Sequence, residues 1–187
     1  ADAVSSVQMS VLDAADALGI SAGVFDGFSA QFKVSLRGLS ETAKEEAITK
    51  ALGRVGSSMA KLVPDIDSYA LANETALDTL TRLSSSLTIV NDVFRDLGFT
   101  LYNVSLAGAD GADQFANLFG SLEGFTTATA SYYDQFYTEE EKLRNATDRV
   151  SEALSNLGVN VMPQTNAAFR EIVDSAMLAG DSDLAAD

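Results

Sequence analysis

The side chains best equipped for chemistry in this chain are carboxylates. Glu139, Glu140 and Glu141 form the densest run, with Asp134 shortly before it. Two carboxyl groups at the right separation supply the acid and the nucleophile of a glycosidase. The same run follows Thr138, however, and acidic side chains in the first turn of a helix are favoured by its dipole. Thr138 and Glu141 also have the spacing of a capping box. The capping role is the stronger reading. Asp65-Ile-Asp67 and Asp110-Gly-Ala-Asp113 suggest calcium, but neither has the regular oxygen ligands and closing Glu of an EF-hand loop. Asp181 and Asp183 belong to an acidic tail. The aromatic residues Tyr132, Tyr133, Phe136 and Tyr137 could form a ligand platform, yet at helical spacing they make the edge of a core, with hydroxyls reaching water.

The absences narrow the chemistry further. The 187 residues include no His, Cys or Trp. A Ser-His-Asp or Cys-His nucleophile pair is therefore excluded, as is an ordinary zinc site. No Gly-Lys-Ser/Thr phosphate loop and no GxGxxG occurs. We expect no catalytic, cofactor-binding or metal-ligating residue, and no enzyme activity. The 12 basic and 27 acidic residues leave a net charge of -15. A chain so charged repels phosphate backbones, which argues against direct nucleic-acid binding. No run of about 20 apolar residues predicts stable membrane insertion. No basic-then-apolar leader opens the chain. It starts at Ala1, as expected of a segment of a longer protein or a processed product.

The element that would organise such a molecule is a heptad stripe. Ile66, Leu80, Leu87 and Phe94 share one heptad position with Asn73, its only polar member; Tyr69, Ala76, Leu83, Val90 and Leu97 share the other. Spacings of 3 and 4 place both rows on one helix face. A helix from Pro64 to Gly98 is predicted, with the stripe alone spanning roughly 48 Å. Ile66, Asn73, Leu80, Leu83, Leu87, Val90, Phe94 and Leu97 are the candidate packing or self-association residues. Period alone does not separate packing inside the chain from a coiled coil between copies. Asn at a heptad core position selects register, so Asn73→Leu is expected to raise stability and blur the oligomeric state.

Around this stripe the pattern predicts a helix over residues 2–18 and a loop over 19–30. An alternating strand follows at 31–37, and then a helix capped by Ser40 that runs to about Lys61. Residues 99–106 read as a second strand, and Gly108 to Gly111 as a turn. A helix from Ala112 to Phe136 carries Gly120 and Gly124 inside it. The next, from Thr138, bears Leu143, Thr147, Val150, Leu154 and Leu157 at heptad spacing. A last helix from Pro163 buries Phe169, Ile172, Val173, Met177 and Leu178. The expected fold is mainly α: a helical bundle or coiled-coil-like hairpins with a small two-stranded β element. The expected organisation is an N-terminal helix and linker (1–30), a helical domain (31–178) and an acidic tail (179–187).

Three stretches together resemble the tail length tape measure proteins of long-tailed bacteriophages and prophages. They are Leu101-Tyr-Asn-Val-Ser-Leu-Ala-Gly108; Phe119-Gly-Ser-Leu-Glu-Gly-Phe-Thr126 running into residues 132–142; and Leu157-Gly158, Pro163 and Phe169-Arg-Glu-Ile-Val-Asp174. Phe32 to Gly38 and Asp78 to Leu83 fit the same family more loosely. The resemblance implies a non-enzymatic structural virion component that lies in the lumen of the tail tube, sets tail length and leaves ahead of the DNA. It implies several copies, commonly three, contacts with tail tube and tail tip proteins, and a bacterial cytoplasmic stage during assembly. Fully helical, the chain would span about 280 Å. A ruler needs several times that, so a domain or fragment is expected. The alternative is an acidic helical protein–protein interaction or adaptor module of a bacterial secretion-type machine.

Overall fold

In the computed structural model the described residues are 2–30 and 32–156, together with Thr165, Ala167 and Arg170. They form six α-helices: α1 Asp2–Asp16, α2 Glu41–Ala60, α3 Ala76–Leu97, α4 Leu106–Asn117, α5 Leu122–Phe136 and α6 Glu139–Asn156. Single 3-10 turns at Ala22–Phe25 and Ile66–Tyr69 separate some of them. The chain divides into two compact units, Ala1–Ser131 and Tyr132–Asp187, with the boundary inside α5. Helix α1 packs on α2 and α3 within the first unit. The helix expected from Pro163 and the tail 179–187 lie outside the described residues.

Helix α3 is the axis of the first unit, in contact with α1, α2 and α4. Leu80, Leu83 and Val90 are completely buried and Leu87 is 2% exposed. Each such side chain contributes about 2 kcal/mol by leaving water. Val11 and Ala15 of α1 and Leu18 in the turn just after it join the same core, as do Ala109, Ala112 and Ala116 of α4. The alanines let α4 lie close. Phe94 and Leu97, further along, are half-buried. The stripe is thus covered by its own chain.

The long helix expected from Pro64 begins only at Ala76. Asp65 and Asn73 adopt left-handed backbone, with φ of 62° and 68°. An L-residue in that conformation ends a right-handed helix. Ile66 is buried in its 3-10 turn, while Asn73 is exposed on the turn before α3. The true start is a capping box: the Thr75 hydroxyl accepts from the Asp78 amide (3.2 Å), and Asp78 Oδ2 accepts from the Thr75 amide (2.9 Å). Asn73 therefore cannot set a heptad register. Its substitution has the opposite expected sign: Asn73→Leu should cost about 1 kcal/mol in a urea melt, and Asn73→Gly close to nothing.

No β-strand occurs among the described residues, so the two-stranded element is not present there. Residues 33–36 alternate, Val34 and Leu36 half-buried and Lys33 and Ser35 exposed, but Phe32, expected inward, is exposed, and the segment pairs with no strand. At 99–106 a side chain takes the place of a strand. The Asn91 amide donates to the Tyr102 carbonyl (3.0 Å), and its oxygen accepts from the Tyr102 amide (2.8 Å). Phe94 packs on Phe99 and Tyr102, with ring centroids 5.6 and 5.8 Å away. Tyr102 alone of residues 99–104 is half-buried, and Val104, expected to share its side, is 60% exposed. The Ser105 hydroxyl then caps α4 by accepting from the Gly108 amide (3.0 Å), so Leu106 opens a helix and Gly108 and Gly111 lie inside it.

The helix expected from Ala112 to Phe136 is two helices, broken at Gly120, whose φ of 87° suits glycine alone. The Ser121 hydroxyl restarts the chain as α5 by accepting from the Gly124 amide (3.0 Å). In the second unit the Thr138–Glu141 box forms as expected. Glu141 Oε2 accepts from the Thr138 amide (2.9 Å) and the Thr138 hydroxyl accepts from the Glu141 amide (3.3 Å).

Candidate functional site

The densest polar assembly is centred on Arg82, on the second turn of α3. Its Nε donates to Glu74 Oε1 (2.7 Å), its Nη1 to Asp113 Oδ2 on α4 (2.8 Å), and its Nη2 to the Tyr69 carbonyl (2.8 Å) and Glu74 Oε2 (3.0 Å). Glu74 also accepts from the Leu71 amide (2.9 Å) and the Thr79 hydroxyl (3.0 Å). Asp113 accepts in addition from the Ser86 hydroxyl (2.8 Å) and the Asn117 amide (3.2 Å). The side chains of Arg82, Glu74 and Asp113 keep only 18%, 17% and 11% of their surface in solvent. Their hydrogen bonds are the reason so much charge is tolerated there.

The Arg82 hydrogen bond holds the Glu74 carboxyl far below its ordinary 4.5, at about 2. The bonds from Leu71 and Thr79 lower it further, against the opposing effect of burial. The bond to Glu74 likewise raises the Arg82 pKa. A carboxylate held this firmly ionised is a poor general acid or base near neutrality. The guanidinium already spends its fork on Glu74, Asp113 and Tyr69. The cluster ties the 69–74 turn, α3 and α4 into one body.

The other candidate carboxylates are divided among local tasks. Asp110 accepts from Gln114 (2.6 Å) while Asp113 faces Arg82, so the two do not converge. Glu139 and Asp134 both hold the Lys142 ammonium, at 3.2 and 3.3 Å. Among the described residues no group of three or more acidic side chains is placed to hold a metal ion. No helix among them is long and apolar enough to cross a membrane. A broad open groove of about 520 Å³ runs past Val7, Ser10, Leu77, Thr81 and Arg82. It offers hydroxyls, the Asp78 carboxylate already used in the α3 cap, and an already engaged guanidinium.

What the surface does offer is apolar. At the end of the first unit, Phe94, Phe115, Phe119 and Phe125 form a chain of edge-to-face rings, with centroids 5.2–5.8 Å apart. Phe99 and Phe119 at its margins are 55% and 43% exposed, and Leu118 is 79% exposed. In the second unit, Tyr133 stacks on Tyr137 (4.5 Å), with the Lys142 ammonium 5.9 Å from its ring centre. Leu143 and Val150 of α6 are 69% and 41% exposed.

The candidate stripe of the sequence is thus divided. Leu80, Leu83, Leu87 and Val90 share one buried row; Ile66 joins the same core from a separate turn; Phe94 and Leu97 continue the row toward the surface; and Asn73 leaves it. Arg82 and Asn91 were missed as organising residues. One local hint existed for Arg82, the first of only two cations on α3 and the one nearer the acidic turn that precedes the helix. Asp113, 31 residues away, gave none. No protein-family model, no curated protein and no solved structure matches this chain.

Proposed function

We propose that this chain is a non-enzymatic, structural part of a phage tail tape measure protein, housed in the tail tube, helping to set tail length and leaving ahead of the DNA. The observation that carries the reading is the ordered run of three resembling stretches. In the fold, the described ones fall at corners. Residues 101–108 bring the Asn91-clasped segment into α4; 119–126 contain the Gly120 break; and 132–142 make the turn from α5 into α6. Corner residues direct one helix into the next, so likeness there is likeness in connectivity. A mainly helical body with uncovered apolar rows suits a part that works by contact. Its partners on this reading are further copies of itself, tail tube proteins and tail tip proteins, and its place before assembly is the bacterial cytoplasm.

The test is its location. Particles released by the encoding bacterium should contain the chain, by mass spectrometry of purified tails, and lose it after ejection is triggered. A chain that stays in emptied tails, or is found only in a secretion complex of the host envelope, would overturn the proposal in favour of the adaptor module.

A further inference from the structure

The exposed heptad row is on α6, and we infer that it is a self-association surface that takes α6 of a second copy in parallel. Leu143, Thr147 and Val150 lie along one face at spacings of 4 and 3 and are all exposed, and Leu154 shares their register. The opposite face makes the contacts within the unit. Lys142 reaches Asp134, and the Asn145 amide donates to the Tyr133 hydroxyl (3.3 Å). With its polar face turned to its own chain, the helix leaves the apolar row outward. Such a row is buried most economically by another like it.

Charge selects the occupant and its direction. Glu139 flanks the row on one side and Arg144 flanks it on the other, five residues further on. In a parallel pair this is the spacing at which flanking residues of two helices meet. Glu139 of each copy then faces Arg144 of the other, two opposite-charge contacts per pair. An antiparallel pair about Thr147 sets Arg144 against Ser151 and gains no such contact. Glu139 keeps 91% of its side-chain surface in solvent despite its bond to Lys142, and Arg144 is exposed, so both can turn to a partner. Glu140 opposes the pair: it lies in the same row at the first turn and faces its own copy across the interface. The row is short, so the association belongs in the high-micromolar range. It names the surface that the multi-copy part of the tail reading leaves open, but rests on the exposed row alone.

Sedimentation equilibrium of the full chain across that range tests it, with circular dichroism checking that each variant keeps its helices. The wild-type chain should self-associate reversibly. Leu143→Glu with Val150→Glu should abolish association. Glu139→Arg or Arg144→Glu alone should weaken it about fivefold, and the two together should restore it. Glu140→Gln should strengthen it. A wild-type chain that stays monomeric, association that survives the Leu143/Val150 pair, or a double charge swap that fails to restore it would each overturn the inference. The particle experiment above stands or falls separately.

Discussion

Arg82→Met should lower the stability of the unit containing α1 to α4 by about 3 kcal/mol, read from the urea midpoint of the chain. The substitution keeps most of the stem's bulk and removes four hydrogen bonds and two ion pairs. Glu74 and Asp113 are left mostly buried without their cation. The cost of breaking such a pair is chiefly that uncompensated charge, and remaining solvent contact keeps it at the lower end of the range for buried pairs. Arg82→Lys should recover little, because one ammonium cannot reach Glu74, Asp113 and the Tyr69 carbonyl with fork geometry. The pH dependence has a definite sign. The Glu74 pKa is lowered on folding, so its contribution is complete above its ordinary 4.5 and is lost as pH falls from there through about 2. Other carboxylates also destabilise the fold in acid. The stability difference between wild type and Arg82→Met cancels the carboxylates that do not face Arg82: it should shrink between pH 4.5 and 2, and a constant difference would refute the assignment.

Gly108→Ala is the second large expected effect, and its sign opposes helix propensity. Alanine is preferred over glycine by about 1 kcal/mol inside a helix. At Gly108 the added methyl would run into the backbone carbonyl of Asn103, which crosses the first turn of α4. That strand of backbone cannot easily withdraw. Tyr102, one residue before, is held at both its amide and its carbonyl by Asn91, and Ser105, two residues after, is fixed as the α4 cap. A cost of about 2–3 kcal/mol is expected, of the size seen when a packed site is overfilled. Gly53→Ala is the control. Its methyl would meet nothing within 4 Å on the exposed side of α2, so that variant should gain about 0.5–1 kcal/mol. If both variants shift the thermal midpoint the same way, the Asn103 contact has no structural weight.

Much of the helical frame could be read from local signals because the physics there is local. The Ser40 cap, the Thr138–Glu141 box and the Gly98 stop each act within one turn, and each appears where the sequence put it. The heptad reading failed at 66–75 for an instructive reason. Ile66 and Ala76 are indeed core residues, so burial resumes on both sides of a segment bounded by a left-handed Asp65 and interrupted by a left-handed Asn73. Hydrophobicity recorded burial and was silent on φ. The strand at 99–106 failed for another reason: the Asn91 side chain satisfies the backbone at Tyr102, and Val104, in step with Tyr102, is exposed. The Arg82 site needed α4 beside α3, which no local pattern supplies. On α6 the heptad was legible and its consequence was not: the same spacing describes the covered row of α3 and the bare one of α6.

The clasp between Asn91 and Tyr102 carries a lesson about descent. Asn91 grips peptide groups and is blind to what the gripped residues display. Leu101, Asn103 and Val104 are exposed beside it, and their identities can drift over generations while the path of the chain endures. Lineages sharing this corner would then grow apart in spelling faster than in shape.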